Sequence, residues 1–421
     1  MSRVVITGYS AVTAAGGSAD ESWQAIKAGR SGLAPIQLWD LSAWDHQLAG
    51  EIKQYDPREM VPDRKLLKVI SRHDVIGIHA VTQALQHSGL LEYRESLSDP
   101  TDFNDRTGLL VGSPGVMFSQ QYDFMPLMSK TQNDLAAYGR QLLDEVHPMW
   151  LLRILPNNVL AYASILYGFK GANENFTNHV VSGSQAVAEA WYLLKQGIID
   201  RAIVIGYDAG LDPLTMAYYA GVGLISKTGV RPFTNDRDGC VLAEGAGVML
   251  LETEDFALQR GATIYGEILA GATFGDATGI LSIGEEGEAV KQALQHTLKR
   301  SQQTPESIGM ITAHANATQS SDRSEANAIR TVFGENSKIP VTAFKWALGH
   351  TLAGAGVIET IMTLLALREQ VVPGIATLNT IADDCRPLAV SADPQSCLSD
   401  TAIVITRGFA GLTACLAIKS C

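Results

Sequence analysis

Hydrophobic positions along the chain follow two alternating rhythms. Short continuous apolar or β-branched runs predict buried strands, and longer stretches with apolar residues three and four apart predict helices. The first run, residues 3–7, closes at Gly8. Helices are expected over 21–29 and 71–88, the second stopped by Gly89 in the manner of a helix C-terminus. Residues 108–112 read as a buried strand and 157–167 as a helix. A short β-like segment at Asn175-Phe176-Thr177 then turns through Ser182-Gly183-Ser184 into an Ala-rich helix over 184–196, which Gly197 stops. Strands follow at 201–205 and 247–252, the latter apolar throughout and suited to cover on both faces. After about residue 255 the pattern restarts. It has strands at 264–269, 310–313, 340–343, 402–406 and 414–418, and helices at 287–300, 322–333 and 353–368. One segment, 113–130, has no clean period and carries Met117, Phe118, Tyr122, Phe124, Met125 and Met128. It reads as core packing under a long loop or as an adaptable interface or tunnel lining.

Length and charge narrow the class. A chain of 421 residues exceeds one ordinary core, so two domains or one large duplicated domain are expected, divided as 1–255 and 256–421. No low-complexity linker separates the halves, so they should pack intimately. Apolar residues make up 46% and charged residues 18%, a globular profile. A net charge of −12 leaves nothing to neutralise phosphates, which excludes a general nucleic-acid binder. The five cysteines, Cys240, Cys385, Cys397, Cys415 and Cys421, are odd in number and fit no zinc spacing, so no metal is expected. With no signal peptide, they imply a reduced, cytoplasmic chain. No apolar run reaches the roughly 20 residues of a membrane span.

Five stretches carry candidate chemistry. The strand–turn–helix at 175–190 would hold a nucleophile at a helix N-terminus, where N–H groups and the helix dipole favour negative charge. Its apex is Val180, which has no nucleophilic atom. On spacing alone, an ordinary buried junction reads the same. At 311–318, His314 stands at the C-terminal edge of a strand among small residues, where ligands bind in α/β sheets. At 344–356 a Gly-rich turn presents His350 at the start of a helix, which favours neutral imidazole. A lone histidine at 314 is more often a satisfied structural one; as a pair, the two suit a carbonyl oxygen or carboxylate and enolate stabilisation. The fourth stretch, Arg231 to Gly239 with Ala243-Glu244-Gly245, is turn-rich, and the fifth places Phe409 between Gly408 and Gly411.

Together and in this order, the five stretches resemble the β-ketoacyl-ACP synthase family of condensing enzymes, over nearly the whole chain. The resemblance implies an α/β, thiolase-like fold in five α-β-α-β-α layers with two duplicated halves. It places the family's two catalytic histidines on His314 and His350, supporting charges on Lys345, Glu359, Asp322 and Glu325, and the Phe that gates the acyl pocket on Phe409. The family's elbow, Thr-Ala-Cys-x-Ser-Gly, is anchored by Ser182-Gly183, so its Cys position falls on Val180. Val180 cannot form a thioester, and no cysteine lies near the turn in sequence. Other departures cluster on the site. His-Gly-Thr-x-Thr has become His314-Ala315-Asn316-Ala317-Thr318, which leaves Thr318 and Asn316 as pantetheine contacts, and Arg407 stands where a small or apolar residue is usual.

This pattern resembles the chain length factor, the ketosynthase-like partner in type II polyketide systems. Aromatic systems usually carry Gln in place of Cys, so Val180 inclines the reading toward the related aryl polyene group. The implied partners are an active ketosynthase, as a heterodimer, and an acyl carrier protein (ACP). Acyl groups would arrive on phosphopantetheine, with no other cofactor. Val116, Met117 and Phe118 fall where the family places interface or tunnel residues. Two alternatives stay open: a Cys-less malonyl-ACP decarboxylase using His314 and His350, and an active condensing enzyme whose nucleophile is Ser182 or Ser184.

Overall fold

The computed structural model describes residues 2–115 and 124–421. Among these residues, ten strands form one mixed sheet built from two copies of a five-strand plan. The first copy holds β1 (Val4–Thr13), β2 (Thr107–Gly112), β3 (Asn173–Phe176), β4 (Arg201–Ala209) and β5 (Glu244–Thr253). The second holds β6 (Gly266–Phe274), β7 (Met310–Thr312), β8 (Val341–Thr342), β9 (Thr401–Arg407) and β10 (Thr413–Ser420). Spatial order is β3-β2-β4-β5-β1 in the first and β8-β7-β9-β10-β6 in the second. Each copy thus runs third, second, fourth, fifth, first. In each, the third–second and second–fourth pairs are parallel, and the fourth–fifth and fifth–first pairs antiparallel. The copies join where β1 meets β6, at Val5 opposite Glu267 and Ile6 opposite Gly266. The rhythm that restarts in the sequence is therefore a repeated topology.

Among the helices are α1 (Arg72–Ser88), α2 (Ser182–Lys195), α3 (Pro213–Gly221), α4 (Glu288–Ser301), α5 (Gln319–Phe333) and α6 (Ala355–Glu369). α1 covers β1, β4 and β5 from outside, while α4 covers β6 and β10 with α5 beside it. α2 and α6 touch each other and strands of both copies. The layers are α-β-α-β-α. Sequence explains the middle layer. Every residue of α6 from Ala355 to Leu367 is buried, as an all-round apolar helix must be. α2 presents Ser182, Gly183, Ser184, Ala186 and Ala190 to its neighbours, small enough for close approach. Among the described residues, no helix is long and apolar enough to cross a membrane.

Glycine misled the strand ends. β1 does not stop at Gly8 but continues to Thr13, with a bulge between Ile6 and Gly8 opposite Leu251 and Leu250. A Cβ on Gly8 would lie 2.6 Å from the Ser88 Cβ, so the glycine admits the end of α1 rather than ending a strand. β5 likewise begins at Glu244, not Gly247, whose missing side chain leaves room for the backbone of Ile358 on α6. The segment 113–130 is partly outside the described residues, and Val116, Met117 and Phe118 lie there. Its described end is a helix, Met125–Lys130, that buries Leu127 and exposes Met125.

Candidate active site

The turn after β3 is a 3-10 segment, His179–Val181, running directly into α2. Val180 is 1% exposed and packs in one cluster with Leu211, Met216, Tyr219, Cys240, Leu352 and Ala355. The two serines weighed as nucleophiles are committed to the fold. The Ser182 hydroxyl donates to the His179 carbonyl at 2.7 Å, and Ser184 bonds the Thr406 hydroxyl at 2.9 Å. Neither lines the cavity described below.

His314 follows the end of β7. Its loop is held through the backbone, because Glu325 on α5 accepts the N–H groups of His314 (2.7 Å) and Ala315 (2.9 Å). Asp322 accepts those of Ala317 (3.1 Å) and Phe233 (2.8 Å). Asn316 turns back on the loop, its Oδ1 accepting from the Thr318 N–H (3.1 Å) and hydroxyl (2.8 Å). His350 is pinned by the segment before β5. It donates its N–H to the Val241 carbonyl at 2.7 Å and accepts from Ala243 N–H at 3.0 Å. Its Nδ1 accepts from Leu352 N–H at 3.2 Å, which leaves Nε2 to carry the proton of the neutral ring.

The two rings meet edge to face, with centroids 5.2 Å apart. Burial holds both well below the usual imidazole range, followed by the Lys345 ammonium. The expected neutrality of His350 is thus present: desolvation and the nearby Lys345 cation lower its pKa, and the Leu352 N–H at the start of the helical turn occupies Nδ1. Lys345 is fully buried, with Nζ 2.5 Å from Glu359 Oε1. Burial pushes the Glu359 carboxyl up, and Lys345 pulls it back.

A cavity of about 100 Å³ brings Val180, His314, His350, Asn316, Thr318 and Phe409 to one wall. Lys345, Glu359, Asp322 and Glu325 are not on that wall and act from behind it. Its lining also includes His179, Tyr219 and Cys240, which the sequence reading did not assign to the site, and Arg407, which it named only as a departure from the family pattern. The cavity therefore does contain a thiol. Burial pushes the Cys240 pKa up to about 12, so it stays protonated and is a poor nucleophile. Arg407 is buried and donates to the Ser321 carbonyl (3.0 Å) and Ser324 hydroxyl (3.3 Å), tying the end of β9 to α5. Two neutral imidazoles facing one space can hydrogen-bond a carbonyl oxygen as negative charge develops on it. Val180, at the apex of the turn, has no atom that can take an acyl group.

Residues 1–257 match the N-terminal domain of beta-ketoacyl synthase, and residues 265–379 match its C-terminal domain. The chain belongs to the beta-ketoacyl synthase family. A 3-oxoacyl-[acyl-carrier-protein] synthase 2 from Synechocystis sp. is 30% identical, over 99% of this chain and 98% of that protein. Among solved structures, the ishigamide ketosynthase/chain length factor matches with a TM-score of 0.88 at 24% identity, covering 100% of this chain and 99% of that one. A ketosynthase in complex with its chain length factor from Xenorhabdus doucetiae matches with a TM-score of 0.81 at 19% identity, covering 100% and 98%. The thiolase-like fold is that of these ketosynthases.

Within the family's elbow pattern, His179 stands at the Ala position, next to Val180. An imidazole in place of a methyl was the available signal for it. Tyr219 and Cys240 carried none, since they reach the cavity from α3 and from the loop before β5, separated from the turn by tens of residues.

Proposed function

We propose that this chain is a ketosynthase-like subunit without condensing activity of its own. It pairs as a chain length factor with an active beta-ketoacyl-ACP synthase and shapes the partner's acyl tunnel. The setting is type II polyketide synthesis, most simply of the aryl polyene kind, or a fatty-acid-like pathway. Acyl groups reach the pair on the phosphopantetheine of ACP, with no other cofactor. The observation that carries this reading is the turn itself. Val180 fills the apex, buried and packed, and the cavity's thiol is held protonated by burial. Solved structures of similar fold that contain a ketosynthase with a chain length factor support it. Coexpression with a ketosynthase carrying an intact Thr-Ala-Cys elbow should give a one-to-one complex, whereas this chain alone should be unstable or insoluble. A stable homodimer made without a partner would overturn the reading.

The neutral His314–His350 pair supports a second reading, decarboxylation of malonyl-ACP without an acyl-enzyme. Purified chain incubated with malonyl-ACP would then release acetyl-ACP above background. The relatives named 3-oxoacyl-[acyl-carrier-protein] synthase 2 keep full condensation in view. An acyl adduct on this chain in intact-mass spectra would establish it, and the subunit reading expects none.

A further inference from the structure

The residue beside Val180 adopts an unusual backbone. His179 has φ of +55°, a left-handed conformation that a non-glycine residue keeps only where its surroundings hold it. That conformation lays its imidazole flat on Phe409, with centroids 4.4 Å apart and planes 17° from parallel. Phe409 stacks in turn on Tyr219, at 5.6 Å and 29°. The Tyr219 hydroxyl is 2.5 Å from His179 Nε2, which closes a ring of three mutually held side chains. Gly408 makes the contact possible: a Cβ there would lie 3.2 Å from His179 Nδ1 and 3.7 Å from the Val180 Cβ. The loop carrying Phe409 is fastened on its other side, where Ala410 N–H donates to the Ile280 carbonyl at 2.7 Å. Val180, Leu211, Met216, Leu352 and Ala355 are all buried in one cluster against which Phe409 packs.

We propose that His179 is the residue that closes this chain's own cavity to acyl chains. Stacked on Phe409 and bonded to Tyr219, it fastens Phe409 across the inner wall against that cluster, so that a chain cannot displace the ring. The proposal rests on the ketosynthase-like reading and deepens it, since a subunit that shapes a partner's tunnel has no use for an acyl pocket of its own. His179 stays neutral near pH 7, because burial lowers its pKa to about 4, so the clamp does not loosen by protonation in that range.

The test is calorimetric titration of the full chain, in complex with its ketosynthase if it needs one, with a hydrolysis-resistant octanoyl-pantetheine amide. In the complex, the ketosynthase's own cysteine is first blocked by alkylation. The wild type and His179→Phe, which keeps a ring on Phe409, should show no saturable binding up to millimolar ligand. His179→Ala should bind at least tenfold more tightly than either. Equal binding by wild type and His179→Ala, or no gain in His179→Ala, overturns the proposal, as does a His179→Phe variant as open as His179→Ala. Should His179→Ala melt early, Phe409→Ala replaces it, with the same gain expected and the same failure decisive. Copurification with the ketosynthase, scored in the same preparations, reads the subunit assignment separately. Loss of pairing overturns that assignment, and loss of ligand contrast overturns the clamp.

Discussion

At the scale of single residues, Val180 is a core side chain in a catalytic setting. Truncation to Ala removes two buried methyl groups from a packed cluster and should lower stability by about 2 kcal/mol. Val180→Cys is close in volume and should cost less than about 1.5 kcal/mol. Both variants should still assemble with a ketosynthase, and the activity of the complex should hardly change. Urea unfolding and turnover of the complex check this together. A complex silenced by Val180→Ala while its unfolding midpoint holds would show that Val180 has a direct role in the chemistry. The absence of a nucleophile at 180 was legible once the family resemblance anchored the elbow motif on Ser182-Gly183, because that motif is local. The thiol of Cys240 on the same wall was not, because 60 positions of chain separate the two and only packing brings them together.

At the scale of elements, the turn bearing His350 depends on a buried ion pair. Lys345 begins the short helix Lys345–Leu348, and Glu359 projects from α6, so their contact fixes the turn against the central layer. Removing one partner strands the other charge, and Lys345→Met should cost about 3–5 kcal/mol. Lys345→Met combined with Glu359→Leu should recover at least half of that loss, since a buried pair replaced by apolar groups is close to neutral. Chemical denaturation of the single and double variants checks it, and equal losses in both would show that the pair is not coupled. The sequence placed Lys345 and Glu359 near the histidine but could not show them touching. Element ends were the weaker part of the reading, for the reason seen at Gly8 and Gly247. A glycine that admits a neighbouring helix looks, in one dimension, like a glycine that ends a strand.

At the scale of the whole molecule, burial of polar groups makes stability depend on pH. Desolvation raises Asp208 and Asp322 to about 7. Each folded-state value exceeds its unfolded value, so the folded protein binds the extra proton. The stability this contributes is complete below about pH 4, near the ordinary Asp value, and is lost as pH rises through 7. The buried histidines act oppositely, losing stability as pH falls below their ordinary value, so a difference measurement isolates the carboxyl. Asp208→Asn keeps an acceptor for the Ala353 N–H and removes the titration. Between pH 5 and 7 the wild type should lose roughly 1.4 kcal/mol per pH unit relative to the variant. Parallel curves from urea unfolding across that range would show that Asp208 is ionised in the folded protein throughout.

The sequence by itself determined the α/β class, the order of the main strands and helices, the two histidines at strand ends and the vacancy at the elbow. The first three are written in local periodicity and composition, and the last in the resemblance of a short motif to the family's elbow. Only the tertiary structure decided that the strand plan is repeated strand for strand. It alone showed that burial keeps the histidines and Cys240 uncharged, and that His179, Tyr219 and Phe409 close on one another beside Val180. Those properties belong to contacts between distant segments and to the exclusion of water from them, which no single stretch of chain contains.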